Sequence, residues 1–147
     1  MLTDQVILRD AHEGDIEELT LLMTDLGYPA TFAEMQVRFK NIFAHPDYRT
    51  IIAIIGDEIV GMSGLCKGVY YEKNGLYLRI VVFVVKQTRR ELGIGKILIK
   101  ASEDWAVDQG LYTVLINSGN RDERKAAHAF YKKMGYAVKS SGFVKEL

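Results

Sequence analysis

Val84-Val85-Lys86-Gln87-Thr88-Arg89-Arg90-Glu91-Leu92-Gly93-Ile94-Gly95-Lys96 is the stretch that decides the fold. An apolar strand ends in two valines and runs into a short basic loop with glycines at its far side. From Gly93 the apolar spacing changes from every second residue to the helical interval. Ile94, Ile97, Leu98, Ala101 and Trp105 then share one stripe as far as Gly110. The start of a helix offers backbone N–H groups without intrahelical partners and the positive end of the helix dipole, which suits a phosphate. Glycine lets an anion reach the backbone without a Cβ in the way, and Arg89, Arg90 and Lys96 bring charge. The bland alternative is a pair of tight-packing glycines beside a solvated loop. Other phosphate loops fit worse. A Walker loop needs glycine where Arg90 stands and a hydroxyl residue where Ile97 stands, and a dinucleotide fingerprint needs a small residue where Leu98 stands.

Upstream, Leu76 to Val85 is the most hydrophobic segment, apolar on both faces, which predicts a central strand. Thr50 to Ile55, a turn at Gly56-Asp57 and Glu58 to Tyr71 predict a hairpin, and Lys73-Asn74-Gly75 a second turn. Nearer the N-terminus, Val6 to Arg9 reads as a strand. A helix follows Asp15, with Ile16, Leu19, Leu22, Met23 and Leu26 on one face and Gly27 as its stop. Thr31 and Glu34 have the spacing of a capping box. They open a second helix with Phe32, Met35, Phe39, Ile42 and Phe43 along one side. Downstream come a strand at Tyr112 to Ile116 and a helix carrying Ala126, Ala127, Phe130 and Met134 up to Gly135. Two closing strands, Tyr136 to Val138 and Phe143 to Leu147, are expected around a turn at Ser140-Ser141-Gly142. The predicted order is β-α-α-β-β-β-α-β-α-β-β. It implies an α/β fold (α+β, mixed sheet, three layers) in which antiparallel hairpins meet a helical crossover.

The 147 residues suit one domain over 1–147, with 48% hydrophobic residues and no linker or biased segment. Lysine plus arginine and aspartate plus glutamate balance at 19 each, which argues against nucleic acid as the main partner while leaving room for a local basic pocket. The one cysteine, Cys66, cannot form an intramolecular disulfide, which suits a reducing compartment and predicts a cytoplasmic protein. The N-terminus lacks the pattern of a signal peptide. The longest apolar run, Ile80 to Val85, is far short of the ~20 residues of a membrane helix, so no membrane partner is expected.

Arg90, Gly93 and Gly95 spell Arg-x-x-Gly-x-Gly after a Val-Val strand, and Arg124-Lys125-Ala126-Ala127-His128-Ala129-Phe130-Tyr131 leads to Met134-Gly135-Tyr136. Together these resemble the two signature motifs of the GNAT superfamily of N-acetyltransferases, and the element order extends the resemblance over most of the chain. Gln87 stands where the family often has proline. The resemblance implies the acyl-CoA N-acyltransferase fold, with acetyl-CoA as co-substrate and no metal. It implies transfer of the acetyl group to a primary amine of a small molecule by direct attack. The pyrophosphate would lie on Arg89, Arg90, Leu92, Gly93, Ile94, Gly95 and Lys96, and Asn120 would add a contact. Backbone groups of Phe83, Val84 and Val85 would hold the carbonyl and pantetheine arm. Tyr131 would protonate the departing thiolate; the alternative is a half-buried structural tyrosine. A protein or peptide amine acetyltransferase and a catalytically weak acyl-CoA-binding regulator are the competing functions. A homodimer, common among relatives, is a candidate assembly.

Four positions stay open. His128 reads as a structural histidine rather than a base. Ser118 and Asn120 fit a ligand contact and a turn equally. Arg79 stands where many relatives keep a basic glutamate, and a guanidinium cannot take a proton from an amine. Glu72, Glu58 and Tyr70 are then weak candidates for the base. Arg79 either binds an acid on the acceptor or faces solvent or an acidic neighbour. A weaker likeness to aminoalkylphosphonate acetyltransferases begins at Arg38. The acceptor is expected between the first two helices and the Val69-Tyr70-Tyr71 segment, where the tyrosines line a pocket or pack across the sheet.

Overall fold

Five strands form one sheet in the order β1-β2-β3-β4-β5: β1 (Val6–Asp10), β2 (Tyr48–Ile55), β3 (Glu58–Val69), β4 (Leu76–Val85) and β5 (Val114–Ile116). The helices are α1 (Ile16–Leu26), α2 (Phe32–Ala44), α3 (Ile94–Asp108) and α4 (Lys125–Lys133). This is the mixed α/β architecture that the element order predicts. The computed structural model describes residues 5–118 and 124–147. They fall into two units, Met1–Leu115 and Ile116–Leu147.

In the first unit the helices form where the local chemistry asks for them. Thr31 caps α2 by accepting from the Glu34 amide (3.1 Å), and the Glu34 carboxylate accepts from the Thr31 amide (2.8 Å). Gly27 ends α1 at φ 99°, a left-handed conformation that costs glycine little. Asp15, which precedes α1, gives that helix no side-chain cap. It accepts from the His12 amide at 2.8 Å and from both terminal nitrogens of Arg9 at 2.8 and 2.9 Å, fastening β1 to the turn before α1.

Leu19 and Leu22 of α1, with Met35 and Phe39 of α2, bury against Ile52, Met62 and Val84 on one face of the sheet. Full burial of each such side chain contributes about 1.5–3 kcal/mol. The other face carries α3. There Ser63 and Ser102 share a buried hydrogen bond of 2.8 Å, and a Cβ on Gly61 would come within 2.7 Å of the Leu98 side chain.

β3 and β4 are antiparallel and change register between Gly64 and Leu65. Gly64 pairs with Val82 but Leu65 pairs with Ile80, so Val81 is an extra residue on β4. On the α1/α2 face the cross-strand rows therefore run Ile52–Met62–Val84, Thr50–Gly64–Val82 and Tyr48–Cys66–Arg79. Strict alternation back from Val84 would have placed Ile80 on that face. The bulge turns Ile80, which is almost fully buried, to the α3 side and brings Arg79 out on the α1/α2 side.

In the second unit α4 ends at Gly135 (φ 96°), and the Tyr136 amide donates to the Tyr131 carbonyl at 3.0 Å. The two closing strands expected at 136–138 and 143–147 do not form, and residues 136–147 carry no strand. A strand persists only where a neighbour completes its ladder. In the sheet β5 is last in order, and Val138, Phe143, Val144 and Leu147 stand exposed.

Candidate active site

Gly93 opens α3 at φ 85° with no side-chain cap. The first intrahelical bond is donated by the Ile97 amide to the Gly93 carbonyl (3.2 Å), so the amides of Ile94, Gly95 and Lys96 precede any helical acceptor. Lys96 is exposed beside them. Glu91 sits at φ 67°, where a non-glycine residue is strained by about 1–2 kcal/mol.

The loop bears that strain because both its sides are anchored. The Lys86 amide donates to the Val60 carbonyl (2.8 Å), and the Gln87 amide to the Asp25 carboxylate (2.9 Å). The Glu58 carboxylate accepts from Lys86 Nζ at 2.5 Å and from Arg89 Nε and Nη2 at 3.0 and 2.8 Å. Arg90 donates to the Val85 carbonyl and, from the other end of its guanidinium, to the Asp25 carbonyl, each at 3.2 Å. Arg89, half-buried, and Arg90, exposed, are thus both engaged by neighbouring protein groups. Leu92 is exposed and Ile94 is buried in the core, so these two present backbone rather than polar side chains.

Sequence reading missed the anchors Glu58 and Asp25. Glu58 was a candidate base, yet its two cations hold its carboxyl below the usual range, which makes it a poor proton acceptor. The turn at Gly56-Asp57 did mark Glu58 as the start of a strand. Only the β3–β4 register brings that start beside Lys86.

Along β4, alternation fixes where the backbone points. With the Lys86 amide turned to β3, the Val85 amide and then the Phe83 amide turn to the opposite edge. On that edge, beyond the bulge, the Leu78 amide donates to the Thr113 carbonyl (2.9 Å). The Val84 side chain packs in the α1/α2 core.

Arg79 is exposed in the row with Cys66 and Tyr48. Burial, then Cys66, pushes the Tyr48 phenol above its ordinary value, and the nearby Arg79 charge opposes that shift. Next to this row Tyr77 lies over Gly68, where an added Cβ would come within 2.3 Å of its ring. Tyr70 packs on Tyr77 at 5.0 Å between centroids, and Lys73 Nζ stands 4.5 Å from the Tyr70 ring centre. The Tyr70 hydroxyl is enclosed and has no hydrogen-bond partner among the described residues. Tyr71 is fully exposed, and Glu72 is exposed as well.

In the second unit, Tyr131 is buried within α4, edge-on to Phe130 and Tyr136. Burial raises its pKa and Arg124 works against the rise. His128 Nε2 lies 3.0 Å from Ser118 Oγ, to which Arg124 Nε also donates at 3.4 Å. His128, Arg124 and Ser118 thus meet within this unit. Asn120 lies outside the described residues. Among the described residues no cluster of His, Cys, Asp and Glu has the makings of a metal site, and no helix is long and apolar enough to cross a membrane.

Comparison with known proteins agrees across sequence and structure. The model of the acetyltransferase (GNAT) family matches residues 16–136. An IAA acetyltransferase of Azospirillum brasilense is 31% identical over 130 residues, 88% of this chain and 79% of that protein. An uncharacterized N-acetyltransferase of Bacillus subtilis (strain 168) is 40% identical over 73 residues, 49% of this chain, so the match spans half that relative's length. The crystal structure of a GNAT family acetyltransferase from Staphylococcus aureus superposes with a TM-score of 0.83 at 36% identity, covering 97% of this chain and 99% of that one. A family match over most of the chain, together with a structural counterpart of nearly the same extent, settles the class: this chain belongs to the GNAT family of acetyltransferases.

Proposed function

We propose that the protein transfers an acetyl group from acetyl-CoA to the primary amine of a small molecule, and that 1–147 acts as one catalytic domain. The observation that carries this reading is the uncapped α3 start. The amides of Ile94, Gly95 and Lys96 lie in sequence after the left-handed Gly93, on a loop fixed from behind by Glu58 and Asp25. Pyrophosphate fits such a site through backbone N–H groups and the helix dipole, with exposed Lys96 adding charge. Arg89 and Arg90 contribute by shaping the loop.

The edge-directed amides of Phe83 and Val85 suit the pantetheine arm and the thioester carbonyl. Transfer forms a nitrogen–carbon bond as the carbon–sulfur bond breaks. The amine proton passes to water, and Tyr131 gives its hydroxyl proton to the sulfur and regains one from solvent. Burial suits that task, since it keeps the phenol protonated at neutral pH.

Gly95→Asp tests the loop. An acidic residue in the first turn favours the helix, so the fold persists while the added carboxylate repels the pyrophosphate. Calorimetry should show micromolar coenzyme A binding to the wild type, about −8 kcal/mol, and none to the variant; equal binding by a folded variant overturns the assignment. Tyr131→Phe should leave coenzyme A affinity nearly unchanged and lower kcat by roughly 10². Undiminished turnover would reduce Tyr131 to packing.

A further inference from the structure

The bulge at Val81 gives β4 a second character beyond the loop. Toward Val85 its α1/α2 face is apolar and covered by helices, while below the bulge the same face presents Arg79 and Tyr77. Among the described arginines, Arg9, Arg38, Arg49, Arg89, Arg90 and Arg124 each donate a hydrogen bond. Arg79 donates none and forms no ion pair among the described residues. Lys73, on the Tyr70 ring, likewise has no ion pair among the described residues. Across from Arg79 stand a phenol and a thiol, Tyr48 and Cys66, and no carboxylate. The Tyr70 hydroxyl nearby is enclosed without a partner. The bulge turns Arg79 to the face that carries α1 and α2. On strict alternation that position would have gone to Ile80.

We infer that the uncovered end of this face, with Arg79 at its centre and Lys73 on its aromatic rim, holds an acid group, so the preferred acceptor carries a carboxylate or phosphonate as well as its amine. This rests on the acetyl-transfer reading above and narrows its substrate class. A guanidinium presents paired N–H groups that match the two oxygens of such an acid. It also repels a bare ammonium and so selects against simple polyamines. The same charge cannot accept the amine proton, which is consistent with water as the acceptor of that proton.

The test compares 2-aminoethylphosphonate, β-alanine and ethanolamine, an amine without an acid group, as acceptors, read by thiol release from acetyl-CoA. The wild type should favour the two acidic amines by at least tenfold in kcat/KM. Arg79→Gln should erase most of that preference through KM, and Arg79→Lys should restore part of it. A second readout needs no turnover. With coenzyme A present, phenylglyoxal labelling of Arg79, mapped by peptide mass, should be blocked by 2-aminoethylphosphonate and β-alanine but not by ethanolamine. Labelling that all three leave alike, or acceptor preferences that Arg79→Gln leaves alone, overturns the inference. Failure of the wild type to bind coenzyme A is a separate result and overturns the acetyl-transfer reading instead.

Discussion

Arg89 and Arg79 belong to the same strand-and-loop segment, and their surroundings are opposite. Arg89 is spent on Glu58, which also holds Lys86. Arg79, on the strand that feeds the loop, has no hydrogen-bond acceptor or ion-pair partner among the described residues. The contrast teaches that a basic residue near a ligand site need not be a ligand. Arg89 and Arg90, which look suited to a phosphate, hold the loop in shape, and in the proposed reading the amides of Ile94, Gly95 and Lys96 meet the pyrophosphate. Arg79, the cation that looks misplaced, keeps its donors unused among the described residues.

Substitutions along this contrast should grade in stability. The largest cost falls on Asp15→Asn, which cuts a buried carboxylate out of the Arg9 and His12 contacts. About 2 kcal/mol should be lost at pH 7, with coenzyme A affinity untouched. The Asp15 carboxyl is held below its ordinary range, first by the Arg9 hydrogen bonds. Its contribution is therefore present above the unfolded pKa, about 3.9, and lost as pH falls through the lower folded value. Denaturation curves for wild type and variant should converge once the pH is below that folded value; a gap that persists would assign the cost to packing.

Glu58→Gln comes next. It keeps the side chain's size and removes the charge shared by Lys86 and Arg89. Stability should fall by about 1 kcal/mol, because these groups are partly solvated. The sharper readout is coenzyme A: its Kd should rise several-fold while kcat at saturation stays level, the signature of a loop bound in the wrong shape. Tighter binding would mean that Glu58 competes with the pyrophosphate for Arg89, and the contrast would collapse. Arg79→Gln should cost least, within about 0.5 kcal/mol by thermal or urea unfolding. A larger loss would reveal that Arg79 has a structural partner after all.

Much of this architecture is readable before any coordinates. Leu76–Val85 is apolar on both faces and forms β4 with the bounds expected, and Thr31 with Glu34 makes the capping box that its spacing announces. Both are short-range facts, carried by neighbours in sequence. The anchors of the loop are long-range: Asp25 and Glu58 reach Gln87 and Arg89 only once α1 and the β3–β4 ladder are in place. No local pattern encodes that meeting. The closing strands failed for a related reason. Tyr136 to Val138 and Phe143 to Leu147 have strand composition, but composition does not supply a partner.

The extra residue at Val81 also decides where this strand can evolve. A strand that alternates without a break offers one set of positions to packing and the other to change, odd or even throughout. Here the two sets trade places halfway along. Above the break, Val82 and Val84 lie on the α1/α2 face and belong to or pack against its core. Below it, Tyr77 and Arg79 lie on that same face outside the α1/α2 core, while Leu78 and Ile80 are buried on the other face. A saturation library across β4 should show tolerance that switches parity at Val81, and deleting that one residue would exchange the inside and outside of everything before it.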